Sequence, residues 1–164
     1  MRILVHNDNV YELYNFATED ELEKMVINNQ KYLFPESTVV LFDKYTIRSS
    51  LGITTVPDGF AISPRDRKWY IIEIELASHP VFDHIIPQIT KFMAAIKDAN
   101  VRKKLVRLFY NAINEKPSIR ASLETLGIRE IYKLIDEIIQ NDPDIIIIID
   151  KISAKLKEGL KALQ

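Results

Sequence analysis

The sequence predicts an α/β fold in a single domain, and three observations carry that prediction. Between residues 38 and 76, apolar residues alternate with polar ones over short β-branched segments, which is the period of a strand. Elsewhere the apolar positions recur every three to four residues, which is helical spacing. Late in the chain, Ile145-Ile146-Ile147-Ile148-Ile149 stands between two aspartates. That run is too short for an independent helix and suits a central strand covered on both faces. At 164 residues the chain has the length of one domain with its own core.

The elements follow in order. Thr18 and Glu21 have the spacing of a capping box, and Leu22, Met25 and Val26 recur on one face, so a first helix is expected over 19–32, ended by Pro35. Segments 38–42, 58–62 and 69–76 read as strands. Pro64-Arg65-Asp66-Arg67-Lys68 between the last two is turn chemistry, which makes them an antiparallel hairpin. Beyond His79-Pro80, Ile85, Ile89, Phe92, Met93 and Ile96 form the apolar stripe of a helix. Two or three further helices are expected between 101 and 141, broken near Lys116-Pro117 and Gly127. The isoleucine strand comes next, and an amphipathic helix is expected to close the sequence near Leu163.

Composition narrows the chemistry. The chain is 47% hydrophobic and 27% charged, as compact globular domains are. A formal charge of -1 excludes a general polycation, so contact with phosphate has to come from local basic patches. There is no cysteine, which removes disulfides, thiolate zinc sites and cysteine nucleophiles. Carboxylates, hydroxyls, lysines and three histidines remain. The N-terminus turns polar at Asn7-Asp8-Asn9, too early for a signal peptide, and the longest apolar run falls far short of the roughly 20 residues of a membrane helix. A cytoplasmic protein is expected.

The chemistry concentrates in Val56-Pro57-Asp58-Gly59-Phe60-Ala61-Ile62 and Trp69-Tyr70-Ile71-Ile72-Glu73-Ile74-Glu75-Leu76. Glu73 and Glu75, two apart on a strand, project from one face. Folding the hairpin about residues 64–68 brings Asp58 opposite residues 73 to 75, and an odd register makes it face Glu73 or Glu75 directly. Three converging carboxylates repel unless a cation neutralises them. Hard oxygen donors on a rigid hairpin suit Mg2+ or Mn2+. Taken alone, Glu73-Ile74-Glu75 describes a half-exposed strand with a solvated face; the order of the surrounding elements singles it out.

That order is a helix carrying Glu, a strand, Pro-Asp-Gly opening a strand, an acidic strand, and a helix with glutamine. It resembles the PD-(D/E)xK nuclease superfamily, with Pro57-Asp58 similar to the first signature acid and Glu73-Ile74-Glu75 to the second motif. Gln88-Ile89-Thr90-Lys91-Phe92 is similar to the QxxxY helix of the RecB-like and NucS-like branches, with phenylalanine where tyrosine is usual. Glu19-Asp20-Glu21-Leu22 is similar to their N-terminal acidic helix. The resemblance implies a restriction-endonuclease-like αβββαβ core, a mixed central sheet flanked by helices, and a helical insertion over about 99–141. It also implies a metal-dependent deoxyribonuclease in repair, restriction or defence.

In such a site, Asp58 bridges metal, Glu73 ligates beside the carbonyl of Ile74, and a third residue handles the attacking water. The usual lysine of the motif is Glu75 here, which leaves two roles open, added ligand or general base. Lys91 is the candidate to supply the missing positive charge. Glu19 is preferred to Glu21, which the capping box accounts for. Gln88 completes the catalytic candidates.

His79, after the acidic strand, and His84, four residues before Gln88, are candidates for substrate contact. Arg48, Arg65, Arg67 and Lys68 form one basic group for DNA phosphates, and Arg102, Lys103, Lys104 and Arg107 form another. The isoleucine strand and the helical insertion each offer a surface for a homodimer. The competing reading, from a different class, is a catalytically inactive nuclease-fold module that binds nucleic acid or assembles with partner proteins. A two-carboxylate glycosidase gains no support from the Pro-Asp-Gly order.

Overall fold

The computed structural model describes residues 3–79, 84–152 and 157–158. The helix expected near Leu163 therefore falls, apart from Lys157 and Glu158, outside the described residues. Two strands open the chain, β1 (Ile3–His6) and β2 (Asn9–Glu12), paired as an antiparallel hairpin. Asn7 and Asp8 form its turn with φ of 49° and 61°, the left-handed pair that a type I′ turn requires and these residue types tolerate. This hairpin is an addition to the expected elements.

The helix expected over 19–32 is two helices, α1 (Glu19–Asn28) and α2 (Gln30–Leu33). Thr18 caps α1 by accepting from the Glu21 amide at 3.3 Å, and the Glu21 carboxylate accepts from Ala17 N at 2.9 Å. Asn29 separates the two helices. Its side-chain amide donates to the Met25 carbonyl at 2.8 Å, so a short polar side chain competes with the backbone and ends the run.

Strand β3 (Val39–Leu41) follows, then a two-stranded ribbon, β4 (Ile47–Arg48) with β5 (Thr54–Thr55). The expected hairpin is β6 (Gly59–Ser63) with β7 (Lys68–Glu75). Four helices, α3 (Ile85–Ala95), α4 (Ala99–Asn114), α5 (Pro117–Thr125) and α6 (Ile131–Ile139), lead to β8 (Asp144–Ile149). The fold is thus mixed α/β, with a central sheet of order β3-β6-β7-β8. The first two pairings are antiparallel and β7–β8 is parallel, and the helices α3 to α6 supply the long crossover a parallel pair needs.

Side-chain alternation sorts the sheet between two cores. Phe60, Ile62, Trp69 and Ile71 pack with residues of α3, α4 and α6, while Ala61, Ile72 and Ile74 pack with Leu22 and Val26 of α1. Ile145, Ile147 and Ile149 meet Ile85 and Ile89 of α3, and Ile146 and Ile148 lie on the α1 side. Both faces of β8 are therefore covered, which explains its uniform β-branched composition. Its place in the sheet corrects the expectation of a central strand: among the described residues β8 pairs with β7 alone and forms an edge. Facial burial writes itself into a hydrophobic pattern, whereas edge position does not.

Two contacts fix the hairpin. Trp69 donates from its indole nitrogen to the Asn141 carbonyl at 2.8 Å, pinning the start of β7. At Gly59 a Cβ would lie 2.8 Å from the Leu41 carbonyl and 2.8 Å from the Phe42 ring, so only glycine lets β3 approach beside Asp58. Among the described residues no helix is long and apolar enough to cross a membrane.

Candidate metal centre

The pairing Gly59↔Ile72, continued by one residue, sets Asp58 opposite Glu73. Directly opposed residues of an antiparallel pair share a face, and Glu75, two residues on, shares it too. By strand alternation the three expected carboxylates therefore share one face of the hairpin, at its open end. Asp58 is held by its own partner strand, because its Oδ2 accepts from the Ile74 amide at 2.8 Å.

Burial sets the electrostatics. Glu73 is 3% exposed, and its Oε1 has no hydrogen-bond partner. Burial first, then the negative charges of Asp58 and Glu75, pushes its carboxyl up to about 8. Burial also raises Asp58, against the lowering effect of the Ile74 N–H bond. A buried carboxyl oxygen without a partner forfeits its hydration without compensation, which favours the neutral acid or a bound cation. Among the described residues, the one group of potential ligands whose atoms all fall within 4.8 Å of one another is Glu19, Glu75 and His79, which shares only Glu75 with the three expected carboxylates.

A second constellation adjoins the first. His79 Nδ1 lies 2.5 Å from Glu75 Oε1 and 2.6 Å from Glu19 Oε1, and one ligand atom from each residue falls within 4.8 Å of the others. The bonds to Glu75 and Glu19 raise His79 above the ordinary histidine range. Burial and the Glu19 hydrogen bond raise Glu75, and the same bond lowers Glu19. The His79 ring nitrogen thus bridges the side chains of Glu75 and Glu19. Glu19, the first residue of α1, stands here as the sequence suggested, while Glu21 serves the cap.

Three further residues complete the centre. Lys44 reaches Glu23 Oε1 at 2.6 Å and Asp58 Oδ1 at 3.7 Å, from a backbone with φ of 47°. A non-glycine residue in that region costs roughly 1 kcal/mol, so its position is held by its surroundings. Glu23 follows Glu19 by one helical turn and was legible on that ground; Lys44, alone in a loop, gave no signal. Asp150, just past β8, accepts from the Ala77 amide at 2.7 Å and ties down the segment that carries His79.

The other candidates are placed as follows. His84, at the start of α3, has its ring centroid 5.7 Å from that of His79, so α3 begins beside the centre. Gln88 lies in the same angular arc as the buried Phe92 and Ala95 yet is exposed, and it makes no side-chain hydrogen bond among the described residues. Lys91 is exposed and has no acidic partner among them, and the cation that meets Asp58 is Lys44. Arg65, Arg67 and Lys68 sit at the closed end of the hairpin, roughly 17 Å along β7 from Glu73. Arg67 pairs with Glu137 at 2.5 Å and Lys68 with Asp144 at 2.8 Å. The structure brings none of the three to the carboxylates, and Arg48 stands apart from them beside α4. A larger cleft of about 990 Å³ between α2 and α5 contains none of the carboxylates.

Comparison of the chain with protein-family models, curated proteins and solved structures gives no match. The centre is therefore read from its own chemistry.

Proposed function

We propose that this chain is a metal-dependent endonuclease that hydrolyses phosphodiester bonds in DNA, built on a restriction-endonuclease-like core. The observation that carries this reading is the orphaned Oε1 of buried Glu73 facing Asp58. The order helix α1, antiparallel β3-β6-β7, helix α3 and parallel β8 supports the αβββαβ reading. Asp58, Glu73, Glu75 and the Ile74 carbonyl are the residues to hold Mg2+ or Mn2+. When bound, the ion supplies charge to the phosphate and acidifies water.

The chain's own groups do the rest. The Ile74 amide orients Asp58. Glu75, with His79 and Glu19 behind it, forms a relay able to take the proton of the attacking water. Water adds in line to phosphorus, the P–O bond to the leaving strand breaks, and that oxygen takes up a proton. Lys44, beside Asp58, contributes fixed positive charge where negative charge develops.

Nicking of supercoiled plasmid in Mg2+ or Mn2+ tests the proposal. Wild type nicks, whereas D58N and E73Q do not, and D58N keeps an acceptor for the Ile74 amide. One observation favours a second reading, a catalytically inactive nuclease-fold module that binds nucleic acid or partner proteins: the lysine position of the motif holds Glu75, tied to His79 and Glu19. Absence of cleavage across metals and DNA forms in a pure preparation selects that module.

A further inference from the structure

Helix α4 spends its own stability on positive charge. It carries Arg102, Lys103 and Lys104 in its first half, Arg107 just past its midpoint, and no acidic residue anywhere in its 16 residues. Cations near a helix N-terminus oppose the macrodipole. Lys103 and Lys104 also stand four and three residues from Arg107, where like charges repel. Arg102 is occupied within the fold, bonding the carbonyls of Ile139 and Gln140 and pairing with Asp142. Lys103, Lys104 and Arg107 are exposed and have no acidic partner among the described residues.

The structure adds a fourth cation from a distant part of the chain. Arg48 of β4 lines a cleft of about 450 Å³ together with Lys103, Lys104 and Arg107. The one carboxylate in this cleft, Asp98, is engaged by backbone donors: Ser50 N at 2.5 Å and Asn100 N at 2.8 Å. Four cations without an acidic partner among the described residues thus line a concavity in a protein whose overall charge is -1. The cleft also has a fixed relation to the metal centre. α3 begins at His84, against His79, and ends three residues before Asp98, so the two sites are roughly one 16 Å helix length apart. That is the span of about five phosphates along one strand of duplex.

We propose that the cleft lined by residues of β4 and α4 binds the phosphate backbone of nucleic acid, as an anchoring site distinct from the metal centre. The choice of nucleic acid among polyanions rests on the nuclease reading. Regular phosphate spacing is what lets one ligand reach both sites, and contacts of this kind set affinity without choosing sequence.

Binding of the full chain to a duplex of about 20 base pairs, followed by fluorescence anisotropy in EDTA across a salt series, tests this without any cleavage. The triple variant K103Q/K104Q/R107Q is expected to bind 10- to 100-fold more weakly, about that order, with its log K against log salt slope shallower by roughly 2 to 3. Removing helix repulsion keeps its melting temperature at or above that of wild type. R48Q weakens binding from β4, independently of α4, while K24Q/K133Q, which removes exposed lysines elsewhere, leaves it unchanged. Unchanged affinity and slope in both cleft variants overturn the proposal, as does equal or tighter binding to phosphatidylserine vesicles than to DNA. If plasmid nicking is absent while the cleft variants still lose DNA binding, the nuclease reading falls and the anchoring site stands.

Discussion

Glu73 is the residue whose removal says most about this protein. Its carboxyl, 3% exposed, is raised from 4.5 to about 8. Above pH 4.5 the unfolded chain has released this proton while the folded chain keeps it until about pH 8. The folded state therefore binds more protons through that window, and stability falls as pH rises. At 1.36 kcal/mol per unit, the loss between pH 5 and pH 8 is ~3.5 kcal/mol, a large share of the roughly 5–15 kcal/mol that holds a domain together. Glutamine has no proton to lose, so E73Q lacks this slope. Urea unfolding at the two pH values in chelator is expected to show wild type losing ~3.5 kcal/mol more than E73Q. Mg2+ or Mn2+ at pH 8 then restores wild type and leaves E73Q unchanged, because an ion bound only by the folded state stabilises it. Parallel pH curves, or equal stabilisation of both proteins by metal, refute the reasoning.

Other parts of the centre make separate predictions. G59A drives a methyl against the Leu41 carbonyl and the Phe42 ring; thermal unfolding should register a loss of roughly 2–3 kcal/mol. D150A leaves the Ala77 amide without its acceptor, costing about 1–3 kcal/mol, and calorimetry should show weaker metal binding, with D150N close to wild type in stability. His79 is raised by Glu75 and Glu19, so its contribution is complete below the ordinary histidine range and fades as pH climbs through the raised value. The melting temperatures of wild type and H79Q should accordingly differ most at pH 5.5 and converge at alkaline pH.

The hairpin that gathers the acids was legible because two local signals agreed. A period-two pattern fixed which residues share a face, and the short polar turn left little freedom in register. Glu19 was legible as well, since capping explained Glu21, while Glu19 lies three before Leu22 and seven before Val26, close to the buried stripe. The isoleucine run disclosed a strand with two covered faces but not its edge position, because edges are defined by backbone partners that side-chain pattern does not record. The opening hairpin was signalled by Asn7-Asp8 between β-branched residues and went unread. Arg48 was grouped with the turn cations by nearness in sequence. The chain places it instead beside α4, 55 residues from Lys103, a juxtaposition only tertiary structure creates.

Lys44 gives the centre a resident tenant. An ammonium 2.6 Å from Glu23 and 3.7 Å from Asp58 already answers part of the negative charge that an incoming ion would answer. On the proposed reading, a divalent ion would share these carboxylates with the ammonium and be repelled by it. That repulsion would weaken ion binding, and a shorter neutral side chain at this position would make the same carboxylates bind an ion more tightly. Affinity for such an ion would be governed as much by the cation the fold provides as by the anions it assembles.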